Sequence, residues 1–257
     1  MTRIIFIEGV SGVGKSTMTE KLSANLRAQG FKVREYLEFD AANPIDFYST
    51  AYIDKEEFHK LCTAYPESAE CLRRNSVDAG KAILVRYCNG RMPIFSGELQ
   101  RELEQREFCY KPLKPIPVAE YTESYRKVWQ DFARRIGSEY DYILFDGSCL
   151  HHSINDLMRN YDAKKEAALK HVKLMLEALE KLQRQIFYLY TSDVTKRLIK
   201  ARIARGQSAP SDAQMDFWKR RHNIDVYVLG QLAEDICMVD VSDGWNAAEM
   251  QIMEKIK

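Results

Sequence analysis

The sequence predicts an α/β fold: a five-stranded parallel sheet with helices on both faces and a mainly helical insert between its second and third strands. Three observations predict it. Short apolar runs alternate with helix-period segments at both ends of the chain. The first run, Ile4–Ile7, leads straight into G-x-x-x-x-G-K-S from Gly9 to Ser16, the strand–turn–helix setting that a phosphate-binding loop requires. The alternation lapses between Asp40 and Asp141, so residues 41–140 read as a substrate-binding insert within a single domain spanning 1–257.

Each element has its own signal. After the loop, Met18, Leu22 and Leu26 recur at helical spacing, and Gly30 supplies a stop. Strand two, Phe31 to Leu37, is expected beside the strand that carries the loop and delivers Glu38 and Asp40 to the carboxyl end of the sheet, where the two carboxylates share a face if the strand continues that far. In the insert, Asp54 with Glu57 starts a helix that stops before Pro66, a short helix covers about Glu67 to Arg74, and KAILVRYC (81–88) is a strand or extended segment. Gly97–Phe108 is a charged helix, three prolines from Pro112 to Pro117 make a connector, and Tyr121, Tyr125, Val128 and Phe132 mark one face of the next helix.

Strand three is Tyr142 to Phe145, closed by Asp146. Leu169, Val172, Met175, Leu176 and Leu179 then give an amphipathic helix, with Asp162 as its expected cap. Strand four, Ile186 to Tyr190, precedes a helix from Asp193 that carries Arg197, Lys200, Arg202 and Arg205. The polar run GQSAPSD (206–212) suits a mobile loop, and residues 200–213 together read as a lid. A helix from Ala213 to Glu234, strand five from Ile236 to Val241 and a short helix complete the chain.

Composition narrows the function. A net charge of +1 over 257 residues carries no electrostatic footprint of a nucleic-acid or membrane-surface binder. The six cysteines show no metal-ligand spacing and suit reduced thiols, and no apolar run approaches membrane-spanning length, so a cytoplasmic protein is expected. Oligomeric state stays open, a homodimer among the options.

The loop dictates the chemistry. Gly9, Gly12 and Gly14 let the backbone approach phosphate oxygens, so that the N–H groups of Ser11, Val13 and Thr17 and the helix N-terminus face the anion. Lys15 adds charge near the β- and γ-phosphates, and the Ser16 hydroxyl suits Mg²⁺. Asp146 closes an apolar strand as a Walker B aspartate does. The next residue is Gly147 rather than a water-activating Glu, which points to a bound acceptor instead of hydrolysis. The pair Thr195-Lys196 is followed by Arg197 and Leu198, so no guanine-reading T-K-x-D element is present there. Arg202 and Arg205 suit a lid that stabilises a transferring phosphoryl group. Arg86 and Tyr87 are candidate acceptor contacts. Adjacent His151 and His152 rarely share one ion and lack a third ligand at suitable spacing.

On these residues the chain resembles the P-loop kinases of the nucleoside and nucleotide kinase group, which includes deoxynucleoside and thymidylate kinases. The carriers are FIEGVSGVGKST (6–17), Glu38, FDGS (145–148) and YLYTSDVTKRLIKARIARG (188–206). A closer likeness is to uncharacterised bacterial P-loop proteins with an F-I-E-G start and a V-R-Y segment. The resemblance covers the sheet-forming parts and leaves 41–140 outside. It implies that Lys15 contacts donor phosphates, that Ser16 and Asp146 serve Mg²⁺, that Glu38 meets the acceptor hydroxyl, and that Arg202 and Arg205 belong to the lid. Two departures stand out: Gly147 replaces the Arg usual after the strand-three acid, and the insert is longer. The expectation is an ATP- and Mg²⁺-dependent kinase whose acceptor is a nucleoside, a nucleotide or another hydroxyl compound such as an antibiotic, against a P-loop ATPase or regulatory switch with no small acceptor.

Overall fold

The computed structural model describes residues 2–256. Its elements run β1 (Arg3–Glu8), α1 (Lys15–Ala28), β2 (Val33–Tyr36), β3 (Thr50–Asp54), α2 (Lys55–Ala64), α3 (Ala69–Arg74), β4 (Ser76–Asp78) and β5 (Ala82–Arg86). They continue with β6 (Cys88–Asn89), β7 (Met92–Pro93), α4 (Gly97–Glu104), α5 (Val118–Arg135), β8 (Tyr142–Asp146), α6 (His151–Tyr161) and α7 (Lys165–Glu177). The last are β9 (Gln183–Tyr190), α8 (Val194–Ala204), α9 (Asp212–Leu229), β10 (Asp235–Asp240) and α10 (Trp245–Lys255).

Five strands form the expected parallel sheet in the order β10-β9-β1-β8-β2. Strand alternation explains why it needs helices on both faces. Ile4 and Phe6 of β1, Ile143 and Phe145 of β8, and Ile186 and Tyr188 of β9 enter one core with α5, α6, α7 and α9. Ile5 and Ile7, Tyr142 and Leu144, and Phe187 and Leu189 enter the other with Met18, Leu22 and Leu26 of α1 and Ala248 and Ile252 of α10. The central strand is therefore apolar at every position from Ile4 to Ile7, each at most 1% exposed. The chain leaves β1 toward β2 on one side and later returns to place β9 on the other. This reversal opens a crevice at the carboxyl end of β1, where the phosphate loop lies.

The strand order corrects one expectation: strand two does not neighbour the strand that carries the loop, because β8 stands between them. Its side chains Tyr142 to Asp146 are all buried, whereas only Val33 of β2 is, so the less apolar strand takes the sheet edge. The insert is mainly helical, and it also holds a three-stranded antiparallel sheet, β3-β5-β4, and the hairpin β6-β7. It builds a core of its own around Ala51, Ile53, Leu72, Val85, Leu99 and Leu103. Asp54 caps α2 as expected, accepting from Glu56 and Glu57 N–H. Asp162 does not cap the helix after it. It sits at the C-terminus of α6 in the left-handed region, φ 45°, and the N-cap of α7 is Lys164, which makes no side-chain cap bond. No helix among the described residues is long and apolar enough to cross a membrane.

Candidate functional site

The loop between β1 and α1 is held by close approaches that only glycine permits. A Cβ on Gly9, φ +140°, would stand 2.5 Å from the Leu189 carbonyl oxygen. The N-cap of α1 is Gly14, which offers no side-chain acceptor, and the first turn contains no acidic residue. The helix N-terminus thus presents its positive end to the crevice without an internal anion. The Val13 side chain is fully buried in the core, and its N–H approaches the Val10 carbonyl at 3.4 Å. Ser11, Gly12, Gly14, Lys15, Ser16 and Thr17 all line one cleft of about 510 Å³.

Lys15 is only 8% exposed, and its ammonium makes a single long bond, 3.4 Å, to the Val10 carbonyl. A buried cation with so little internal compensation is suited to an incoming anion. The Ser16 hydroxyl donates to Asp146 Oδ2 at 2.5 Å. Glu38 N–H approaches the same oxygen at 3.4 Å. Asp146 Oδ1 is buried and has no hydrogen-bond partner. One hydroxyl, one free carboxylate oxygen and room for phosphate oxygens and water are the hard donors that Mg²⁺ takes, so these residues fit that ion. Among the described residues no group of three His, Cys, Asp or Glu gathers as a separate metal cage.

Behind the loop, the fully buried Glu8 carboxylate accepts from the N–H groups of Cys149 at 2.7 Å and His151 at 3.0 Å. Burial pushes its pKa up to about 7, against the pull of these bonds and of Lys15. Glu8 thereby ties the end of β1 to the turn that begins α6. Gly147 starts this turn at φ +70°, where a Cβ would stand 3.0 Å from His151 Cβ and 3.1 Å from Lys15 Cε. The Gly147 departure is therefore a steric consequence of Lys15 and His151 lying against the backbone.

The two histidines face different partners, their rings nearly perpendicular. His151 Nδ1 lies 3.1 Å from the Gly9 carbonyl, which can only accept, so Nδ1 carries the proton. Burial and then Lys15 drive its pKa well down, and the neutral ring stacks on Trp218 at 5.6 Å. His152 Nε2 lies 3.6 Å from Asp46 Oδ2. Burial works against its protonated form, but Asp46, Glu38 and Asp146 outweigh this and raise its pKa.

Glu38 and Asp40 part ways. β2 ends at Tyr36, and Phe39 turns into the left-handed region at φ 68°, so the two carboxylates do not share a strand face. Glu38 lines the cleft. Asp40 accepts from Ala42 N–H at 2.8 Å and pairs with Arg34 at 3.4 Å, closing its own turn. Arg86 is committed in the same way: its guanidinium donates to the carbonyls of Asp40, Asn43 and Asp46 at 3.3, 3.1 and 2.8 Å. It holds the 40–46 loop. Tyr87 is buried in the insert core with its hydroxyl on Glu107.

In the lid, Arg205 reaches the cleft, whereas Arg202 donates to the Ser208 carbonyl at 2.8 Å and braces the loop. Residues 200–213 are helical at both ends, with Ser211 and Gln214 forming a capping box on α9. Sequence reasoning did not assign Arg197 or Trp245 to the site. The Arg197 guanidinium donates to the Gly12 carbonyl at 3.1 Å and lies 5.1 Å over the Trp245 ring, walling the outer side of the loop. A signal for Trp245 was its place just after strand five behind Gly244. Also missed were Glu8, which stands between the first apolar run and the loop and received no role, and Arg91.

Fold and site together define a phosphate-loop α/β protein. No protein-family model and no curated protein matches the chain. Among solved structures it is similar to the YorR protein of Bacillus subtilis, crystallised with phosphorylated GDP, at 12% identity over 98% of this chain and 95% of that one, with a TM-score of 0.46. It is also similar to thymidylate kinase from Ehrlichia chaffeensis, at 10% identity over 100% and 99%, with a TM-score of 0.47. Likeness at this level carries no conclusion about chemistry, which rests on the site's own geometry.

Proposed function

We propose that the protein is an ATP-dependent phosphotransferase that moves the γ-phosphoryl group to a hydroxyl or phosphate of a small molecule. The observation that carries this reading is one cleft lined by Lys15, whose ammonium makes a single long bond, by Ser16 bonded to Asp146, and by Glu38. Lys15 and the α1 N-terminus bind the donor phosphates, and Arg197 with Trp245 offers a flat wall beside the loop. Ser16 and Asp146 would hold Mg²⁺, which when bound supplies charge neutralisation on the phosphate oxygens. Glu38 takes the acceptor's proton as its oxygen bonds to the γ-phosphorus, while the bond to the β–γ bridging oxygen breaks and ADP leaves.

For the acceptor, Phe39, Tyr48 and Tyr110 form an aromatic wall near Glu38, with centroid spacings of 4.4 and 5.2 Å. Phe39, Ser49 and Tyr110 all hold positive φ, at 68°, 50° and 61°. Such backbone costs on the order of 1–3 kcal/mol per residue and clusters at ligand sites. An acceptor with a flat ring and a free hydroxyl, as in a nucleoside or an aromatic antibiotic, suits these walls.

The test is a screen of hydroxyl-bearing metabolites and antibiotics for compound-dependent ADP formation, with Lys15→Ala as control. The expected result is one compound class that drives turnover, lowered about 10²–10³-fold in folded K15A. Turnover that is equal in both proteins would refute the assignment.

A further inference from the structure

The insert brings to the catalytic cleft a cation that neither the phosphate loop nor the lid supplies. β6 and β7 pair Cys88 with Pro93 and Asn89 with Met92, leaving a two-residue turn, Gly90-Arg91. Gly90 has φ 56°, the positive value that the first central position of such a turn demands. At its base Ile94 N–H donates to the Tyr87 carbonyl at 2.9 Å, and Tyr87 is itself buried in the insert core. The tip is short and anchored, so its direction is fixed.

Arg91 lines the same cleft as Lys15, Ser16, Glu38 and Arg205. Its charge is free. The ion pairs of the insert engage Arg74, Arg106, Arg126, Arg134 and Arg135. Arg91 joins none of them among the described residues, and its side chain is exposed. The end of β8 cannot provide a cation in its place, because Gly147 has no room for a side chain between His151 and Lys15. Three cations, Lys15, Arg91 and Arg205, therefore face a cleft lined by a single carboxylate, Glu38. That balance fits a polyanion.

We propose that Arg91 binds the γ-phosphoryl group of the donor nucleotide, so that the acceptor-side insert contributes its own phosphate-binding arginine. This rests on the phosphotransferase reading above. A planar guanidinium engages two phosphate oxygens through a fixed fork of N–H donors, a geometry that the flexible point charge of a lysine does not impose. Since the hairpin belongs to the insert, displacement of the insert moves Arg91 relative to Lys15 and Ser16. Transfer is thereby coupled to how the insert sits over its acceptor.

Calorimetric titration with MgADP and with the non-hydrolysable MgAMPPNP tests this without a known acceptor. Wild type, R91A, R91K and, as a charge control on the exposed face of α4, R101A are compared. The expected result is that R91A weakens MgAMPPNP roughly 10- to 100-fold and MgADP by less than about threefold. R91K falls between, and R101A matches wild type. An unchanged AMPPNP-to-ADP affinity ratio in R91A, whether neither value moves or both fall together, overturns the role of Arg91 while leaving the donor site standing. Wild-type protein that binds neither nucleotide overturns both readings.

Discussion

The phosphate-loop half and the insert treat their buried polar groups in opposite ways. Around the loop Glu8 is answered by two N–H groups, but the two groups that face the cleft are left open: the Lys15 ammonium has one long bond, and Asp146 Oδ1 has none. In the insert the protein answers its own groups. Arg86 donates to three carbonyls, the Tyr87 hydroxyl meets Glu107, and the Tyr110 N–H and Tyr121 hydroxyl both donate at 3.1 Å to Asp156 of α6. An unanswered buried charge costs stability and is retained where a ligand answers it. A satisfied one holds architecture. By that criterion Lys15 and Asp146 are ligand-facing, and Arg86 and Tyr87 are structural.

The largest expected effect falls at the seam between the two regions. Glu38→Gln keeps size and one acceptor oxygen but removes basicity, so with a verified acceptor kcat should fall about 10²–10⁴-fold with ATP affinity little changed. Asp40→Asn should leave kcat near wild type, because Asp40 closes its own turn. If D40N shows the larger loss, the assignment of the base reverses. Next is Arg86→Ala, which strips three carbonyls of a half-buried charged donor and should cost about 3 kcal/mol of stability in chemical denaturation. Nucleotide affinity of the folded R86A protein should match wild type; a selective loss of ligand binding with unchanged stability would move Arg86 into the site.

The smallest effect is a pH slope. Burial raises the Glu107 pKa to about 7, against an ordinary value of 4.5. Between those values the native state holds a proton that the unfolded chain has lost, so this contribution is full below about pH 4.5 and is lost as pH rises through 7. Glu107→Gln can still receive Cys109 N–H and can donate to Tyr87, so it should fold and show a flatter stability profile across that window. Some slope should persist, because Glu8 at about 7 and Asp156 at about 6 act in the same direction. An unchanged slope in denaturation curves from pH 5 to 8 would mean that Glu107 is not the strained group.

How far these features were legible follows from where the signals lie. The sheet strands and the loop announce themselves, because apolar runs and G-x-x-x-x-G-K-S are local patterns. The neighbour of β1 is not local: placing β8 beside it depends on which strand is more apolar around its whole circumference. α6 escaped for a related reason. Residues 151–157 are all buried, so no polar face gives the stretch a visible helical period. On α9, Arg221 and Asp225 have the spacing of a surface ion pair, yet both are fully buried, with Arg221 donating to the Leu150 carbonyl and Tyr188 to Asp225. Glu38 was legible from its place after strand two, while its separation from Asp40 depends on the positive φ of Phe39, which no residue type there announces. Arg91 was legible in principle: Asn89-Gly90 before it is a hairpin signal, but only the fold shows where that hairpin points.

The contrast between open and answered groups is tested most directly by titrating the protein with ATP in Mg²⁺ and in EDTA, for wild type and Asp146→Asn. Wild type should bind ATP at least about tenfold more tightly with Mg²⁺, a difference of about 1.4 kcal/mol, and D146N should bind in EDTA as wild type does but lose that gain. Wild-type affinity that is indifferent to Mg²⁺, or a D146N protein that keeps the full gain, would contradict the assignment of Asp146 and Ser16 as the ion-holding pair of an open donor site.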